Sequence, residues 1–284
     1  MPTNATSEFR VAAVQFRSTV DIEDNLSRIR AVLRAAADTG VQIAAFPECA
    51  VTSYNAHAVM KFSTNQLRDA EERLSSMCRE VGIAAIVGSP YYEDGVLYNG
   101  ALAWNRDGEL IARYAKIQLA ESWPQPGTRL VTFRVDGVVC SVIVCHDSRY
   151  PELVRLPVLA GAQVVFYLSC ESDITHETKI DPYRSQIVAR AEENCVYIVH
   201  ANTPQTYDRR DDGTIVLQPG CSHGQSRIIA PDGNIIAEAS IFSEEMLTET
   251  LEVSRATRAF AERSRQSSLL QAWWNAGAAL VDGE

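Results

Sequence analysis

The feature that most constrains this chain is a series of short, almost wholly apolar runs separated by segments of helical period. Phe9–Phe16 reads FRVAAVQF, hydrophobic on both alternations of an extended chain. A strand with one wet face alternates apolar and polar residues, so a strand apolar on both faces must be covered on both. Val41–Phe46, Ile83–Gly88, Val138–Cys145, Ala162–Leu168 and Cys195–Ala201 predict further buried strands. Ile22, Leu26, Ile29, Leu33 and Ala36 recur at helical spacing between Asp21, a capping residue type, and Gly40, which suits a helix end. Helices are also predicted over Asn65–Val81, over Glu152–Ala160, and from Asp181 as N-cap, with Pro182 first, to about Asn194. Two hairpins are expected, one turning at Arg106-Asp107-Gly108 and one at Pro231-Asp232-Gly233.

Helices interleaved with doubly buried strands predict an α/β fold of stacked layers. No linker-like shift in composition, repeat or low-complexity run divides the chain. One domain is expected over 1–284, with its core at about 9–255 and a C-terminal arm at about 256–284. The adjacent Trp273 and Trp274 of that arm cover either a partner subunit or the chain's own core.

At 46% hydrophobic residues the chain can build a large core, yet no run reaches the roughly 18 apolar residues of a membrane helix. MPTNATSEFR lacks a basic region followed by an apolar stretch, so no secretory signal and a cytoplasmic location are expected. The sequon Asn4-Ala5-Thr6 then has no meaning. A net charge of −10 argues against nucleic acid or an anionic membrane as a partner. The seven cysteines include no C-x-x-C pair and no zinc-finger spacing, so no metal site is expected. In a reducing compartment most of them should be small buried residues.

Cys145 stands apart because it ends a strongly apolar strand in VIVCHDSRYPEL. Loops at the carboxyl ends of strands are where α/β proteins build sites. A free thiol near pKa 8.5 needs a base or a positive charge to become a nucleophile. His146 is adjacent, but strand alternation turns its side chain to the opposite face, leaving it a surface or supporting histidine. Its backbone N–H is one peptide beyond the sulfur and can face a developing oxyanion. Glu48 follows the strand ending at Phe46, where partial desolvation raises a carboxyl toward the range useful for proton transfer. The alternative is a solvated loop glutamate. Lys116 lies inside a predicted strand, either on a wet edge or pointing into a cleft that holds carboxylates. Glu121 is either a second acid of the same pocket or a loop charge. Tyr54 and Trp123 are candidate pocket walls or core residues. Asn202, at a strand end, is read as a structural hydrogen-bonder near the site.

Together these segments resemble the nitrilase superfamily of carbon–nitrogen hydrolases. FPECAVTSY is similar to that family's glutamate motif, RYAKIQL to its lysine motif and VIVCHDSRYPEL to its cysteine motif, in the family's chain order. NLSRIRAVLRAAADTGVQIAAFPE, IVARAEENCVYIVHAN and GQSRIIAPDGNIIAEA extend the likeness over roughly residues 9 to 255. The resemblance implies a four-layer αββα sandwich, commonly a homodimer or higher homo-oligomer. It implies Glu48, Lys116 and Cys145 as catalytic residues, with Glu121 as a second glutamate. Glu48 would take the thiol proton, Lys116 and the His146 N–H would hold the oxyanion, and a thioester would form on Cys145. No metal or organic cofactor is called for. The implied substrate is a small amide or N-carbamoyl compound, because His-Asp follows the cysteine where nitrilases proper carry Trp-Glu. Arg149 would receive a substrate carboxylate, or else pair with Asp147 or Glu152.

Two departures stand out: Gln118 replaces a histidine common in the family, and Ser169-Cys170-Glu171 occupies the place of an aromatic-rich substrate loop. Rival readings are a papain-like hydrolase, an acyltransferase and a non-catalytic binding module. The papain-like reading needs a histidine partner, yet His57, His176, His200 and His223 lie in no such motif.

Overall fold

The computed structural model describes residues 8–172, 180–217 and 222–283. Asn4, His176 and Cys221 lie outside these residues. The first half contains β1 (Glu8–Gln15), α1 (Ile22–Asp38), β2 (Ile43–Phe46), α2 (Ala56–Val59), α3 (Thr64–Val81), β3 (Ala84–Glu93), β4 (Val96–Trp104) and β5 (Leu110–Ala115). Next come β6 (Leu130–Val135), β7 (Val138–Val144), α4 (Glu152–Leu159), β8 (Val164–Leu168), α5 (Ile180–Glu192) and β9 (Tyr197–Ala201). The rest is β10 (Tyr207–Arg209), β11 (Ile215–Leu217), β12 (Arg227–Ile229), β13 (Ile235–Glu238), β14 (Glu245–Glu252), α6 (Ala259–Arg265), α7 (Gln271–Ala278) and β15 (Val281–Asp282).

Among the described residues two large sheets form, ordered β14-β1-β2-β3-β4-β5 and β13-β12-β9-β8-β7-β6-β15. The apolar runs are explained by what lies on each side of them. Phe9, Val11 and Ala13 of β1 join the core between the sheets, with Phe133, Val142 and Phe166. Ala12, Val14 and Phe16 face the other way, against Leu26, Ile29 and Leu33 of α1 and Leu74 of α3. Leu153, Val154 and Ile187 of α4 and α5 cover the second sheet. The layers are therefore α, β, β, α, as expected for a chain whose strands have no wet face.

The N-cap behaves as the sequence predicts at α1, and the structure adds caps at α3. Asp21 accepts the amide of Glu23 at 2.9 Å. Ser63 and Gln66 form a capping box, and Gly82 closes α3 at φ +74°. Asp181 does not cap α5, because the helix already begins at Ile180 and Asp181 sits in its first turn. In the C-terminal arm, Trp274 is buried in the chain's own core with the Arg155 guanidinium 5.9 Å from its ring, while Trp273 is 54% exposed. β15 then pairs in parallel with β6 and extends the second sheet.

β1, β2 and β3 run parallel, and β5 points the same way because it is twice reversed through β4. β7, β8 and β9 run parallel in the facing sheet. The carboxyl ends of β2, β5, β7 and β8 can therefore converge. Gly88 of β3 lets this happen, since a Cβ there would stand 2.1 Å from the Pro47 carbonyl and 2.6 Å from Glu48 Cα. Both neighbours are backbone and cannot swing aside. Gly88→Ala should lower stability by about 1–3 kcal/mol through overpacking, read as a fall in the urea midpoint; an unshifted midpoint would show that the Pro47–Glu48 turn has slack.

Candidate active site

Three strand ends supply the centre of the site. The chain leaves β2 through Pro47 into Glu48, and Lys116 comes one residue after β5 ends at Ala115. The strand predicted through Lys116 stops short because the chain turns there. Lys116 donates its amide to Asn99 O at 2.8 Å, and its carbonyl accepts from Gly127 N at 2.8 Å. The strand predicted to include Cys145 likewise ends at Val144, and Cys145 opens a 3₁₀ turn at φ +47°. Positive φ is uncommon for a residue with a side chain, and such strain clusters at functional positions.

The Lys116 side chain is wholly buried and donates to Glu48 Oε1 at 2.8 Å and to Glu121 Oε2 at 2.9 Å. Asn99 Nδ2 also donates to both carboxylates, to Glu48 Oε1 at 2.7 Å and to Glu121 Oε1 at 2.5 Å. Tyr54 Oη donates to Glu121 Oε2 at 3.0 Å, and its ring lies 5.9 Å from Lys116 Nζ. Glu121 therefore belongs to this cluster and is not a loop charge. Glu48 Oε2 accepts the amide of Cys170 at 3.0 Å. The carbonyl of Cys170 lies 4.0 Å from Cys145 Sγ. Cys170, two residues past β8, thus touches the glutamate of one sheet and the thiol of the other.

Burial pushes the Glu48 carboxyl up, with Lys116 pulling against it and Glu121 adding to it. Burial also acts on Glu121, but the Lys116 charge and the bonds from Asn99, Lys116 and Tyr54 outweigh it and hold that carboxyl below its usual range. For Lys116 burial favours the neutral amine, yet Glu48, Cys145 and Glu121 prevail and raise it well above an ordinary lysine. Burial, then the Glu48 charge, pushes the Cys145 thiol well up, so at rest it is a thiol and not a thiolate.

His146 is half-buried and meets Tyr150 edge-on, with ring centroids 5.9 Å apart. Burial and the neighbouring Arg149 and Lys116 charges lower its pKa and leave it neutral. The strand argument for its orientation does not hold, since the chain has already turned at Cys145. Arg149 pairs with neither Asp147 nor Glu152. It stacks on Tyr183, 4.8 Å from the ring centroid, and donates to Tyr183 Oη at 2.5 Å. Trp123 is half-buried after Glu121, and no bond or ring contact among the described residues joins it to the cluster. Asn202 is buried behind Cys170, where its Oδ1 accepts from Ser169 Oγ at 3.0 Å and Ser222 Oγ at 2.7 Å.

Asn99, Asp147 and Glu171 have no site role in the sequence reading, yet all three lie at or beside the cluster. Asp147 is fully buried and ties the lysine segment to the cysteine turn. It accepts Ile117 N at 3.2 Å and Gln118 N at 2.7 Å on one oxygen, and Val144 N at 3.0 Å and Tyr114 Oη at 2.7 Å on the other. Burial raises its carboxyl to about 6 in spite of the Gln118, Tyr114 and Val144 donors and the Lys116 charge. No group of three or more His, Cys, Asp or Glu residues among those described is arranged to hold a metal ion.

A buried Glu–Lys–Glu cluster facing a strained cysteine, at converging strand ends of an αββα sandwich, defines a thiol hydrolase of the nitrilase type. The chain belongs to the carbon–nitrogen hydrolase family, whose model matches residues 10–259. It is similar to an omega-amidase of Xenopus tropicalis, 29% identical over 252 residues, covering 84% of this chain and 86% of that one. An omega-amidase of Homo sapiens is 26% identical over 275 residues, covering 90% and 95%. Among solved structures, an active-site variant of the nitrilase-superfamily amidase from Nesterenkonia AN1 matches with TM-score 0.76 at 25% identity, covering 93% and 97%.

Asp147→Ala strands three buried N–H groups and a phenol. Stability should fall on the order of 3 kcal/mol, measured by urea denaturation. A fall below about 1 kcal/mol would mean that water or another acceptor replaces the carboxylate.

Proposed function

We propose that this enzyme hydrolyses a small primary amide or N-carbamoyl compound through a thioester on Cys145, releasing ammonia. The observation that carries the reading is Lys116, buried between Glu48 and Glu121, with the Cys170 main chain joining Glu48 to Cys145. Glu48 takes the thiol proton as the sulfur attacks the amide carbon. A resting thiol beside a carboxylate suits transfer during attack better than a preformed thiolate. Lys116 Nζ and the His146 N–H stabilise the oxyanion, a contribution of ~10²–10³ in rate per donor. Protonated Glu48 then gives its proton to the leaving nitrogen. In the second half Glu48 takes a proton from water, which attacks the thioester; the acid leaves and the thiol is restored. Glu121 holds Lys116 and orients the substrate, and Tyr54 walls the pocket.

Several relatives are omega-amidases, and a variant of the Nesterenkonia amidase is in complex with butyramide. These favour an amide over a nitrile. Arg149, with Tyr183 beneath it and no partner for Nε among the described residues, is suited to a carboxylate at the far end of an ω-amide. The absence of a disulfide among the described residues fits a reducing, cytoplasmic setting. Exposed Leu269 and Trp273 on the C-terminal arm suit a homodimer contact.

Ammonia release should be assayed across ω-amides, N-carbamoyl amino acids, aliphatic amides and nitriles. Cys145→Ala should abolish the release and Glu48→Gln should reduce it at least ~10³-fold; full activity in either variant refutes the mechanism. His146→Ala should retain activity within about tenfold, since only its backbone acts. Complete loss there, with an intact fold, would restore a cysteine–histidine mechanism.

A further inference from the structure

Glu171 is a buried carboxylate beside the site that the mechanism above does not use. It is 2% exposed and stands directly after Cys170, whose amide binds Glu48 and whose carbonyl approaches Cys145. The stretch around Cys170 is held from several sides. Ser169 N donates to Ala201 O at 2.9 Å, and Ser169 Oγ lies 2.7 Å from His200 Nε2. Glu171 N points to Asn202 Oδ1 at 3.4 Å. The Glu171 side chain turns inward, and its Oε1 accepts the Tyr167 hydroxyl at 2.5 Å. That hydroxyl lies 3.3 Å from Ser148 Oγ, on the turn that begins at Cys145, and the Tyr167 ring stacks on His200 with centroids 4.5 Å apart. Glu171 therefore links two turns, the one carrying the Glu48 amide donor and the one carrying the nucleophile.

We propose that Glu171 is a positioning residue for the Cys145–Glu48 pair, acting through Tyr167 and through its own main chain at Cys170. The Arg227 and Arg149 charges around it both pull its carboxyl down against burial. Among the described residues Glu171 Oε2 has no hydrogen-bond donor, and it faces His223 Nδ1 at 3.4 Å. Burial keeps His223 neutral, at about 3. Burial raises Glu171 itself to about 7, against the Tyr167 bond and the Arg227 charge. A side chain kept for packing alone would be apolar there, since withdrawing an acid from water costs stability. What the carboxyl provides is an acceptor, fixed on a rigid tyrosine, at the height of the cysteine turn.

The inference rests on reading Cys145 and Glu48 as nucleophile and base, so the test includes a measurement that needs no substrate. Turnover of the best amide is compared in wild type, Glu171→Ala, Glu171→Gln, Tyr167→Phe and the Ala/Phe double variant. Glu171→Ala should lower kcat about 10- to 100-fold with KM within about threefold. Tyr167→Phe should act in the same direction, and the double variant should be no worse than Glu171→Ala alone. Glu171→Gln should recover most of the loss, because its amide oxygen can accept the same bond. In parallel, alkylation of Cys145 by iodoacetamide is followed at its own peptide. It should speed up several-fold in Glu171→Ala and in Tyr167→Phe, as the turn over the thiol loosens, and stay near wild type in Glu171→Gln.

A loss confined to KM would overturn the proposal and make Glu171 a substrate contact. Multiplying losses in the double variant, or a glutamine variant no better than alanine, would overturn it too. If Glu171→Ala does not fold, Tyr167→Phe alone decides, and wild-type turnover and alkylation there refute the link. If wild type releases no ammonia from any substrate yet alkylation follows the expected order, the functional reading fails while the positioning role stands.

Discussion

The cluster at the strand ends depends on one buried cation, Lys116. An ammonium withdrawn from water carries a desolvation cost of several kcal/mol, which only close, well-aligned anions can offset. Lys116 has two carboxylates, each at hydrogen-bond distance, and Asn99 donates to both of them from the side. None of the three charges is tolerable without the others, so the strand ends that carry them must be placed accurately. The main chain does that placing. Asn99 and Gly127 grip the Lys116 peptide on its two sides, and Asp147 binds the two amides that follow it. The chemistry of the site is thus anchored in backbone hydrogen bonds rather than in mobile side chains.

Much of this was legible before the structure, for a simple reason. Glu48 and Cys145 each interrupt an apolar strand at its carboxyl end, and the layered fold leaves few other places for a polar pocket. The doubly apolar pattern of Phe9–Phe16 also predicts covered sheets, and its alternate residues do lie in two different cores. The strand-end rule that found Glu48 applies equally to Glu171, three residues past β8, and was not carried that far.

Other features depend on contacts distant in sequence and could not be read locally. Asn99 lies in the middle of a hairpin strand, and its importance comes from neighbours 51 and 22 residues away. Arg149 has two acidic residues close in sequence, yet its partner is Tyr183, 34 residues on. The orientation of His146 was argued from strand geometry that ends one residue too early, because local alternation contains no warning of a positive φ at Cys145.

The bridge at Cys170 has a consequence for how the chain comes to life. Glu48 and Lys116 follow strands of one sheet, whereas Cys145 and Cys170 follow strands of the other. Neither sheet alone holds both the proposed nucleophile and its proposed base. Parallel sheets close through contacts far apart in sequence, which form late and slowly. The Cys170 contacts to Glu48 and to Cys145 can therefore form only where the two sheets are packed together. Catalytic competence in this architecture is a report that the two halves have met.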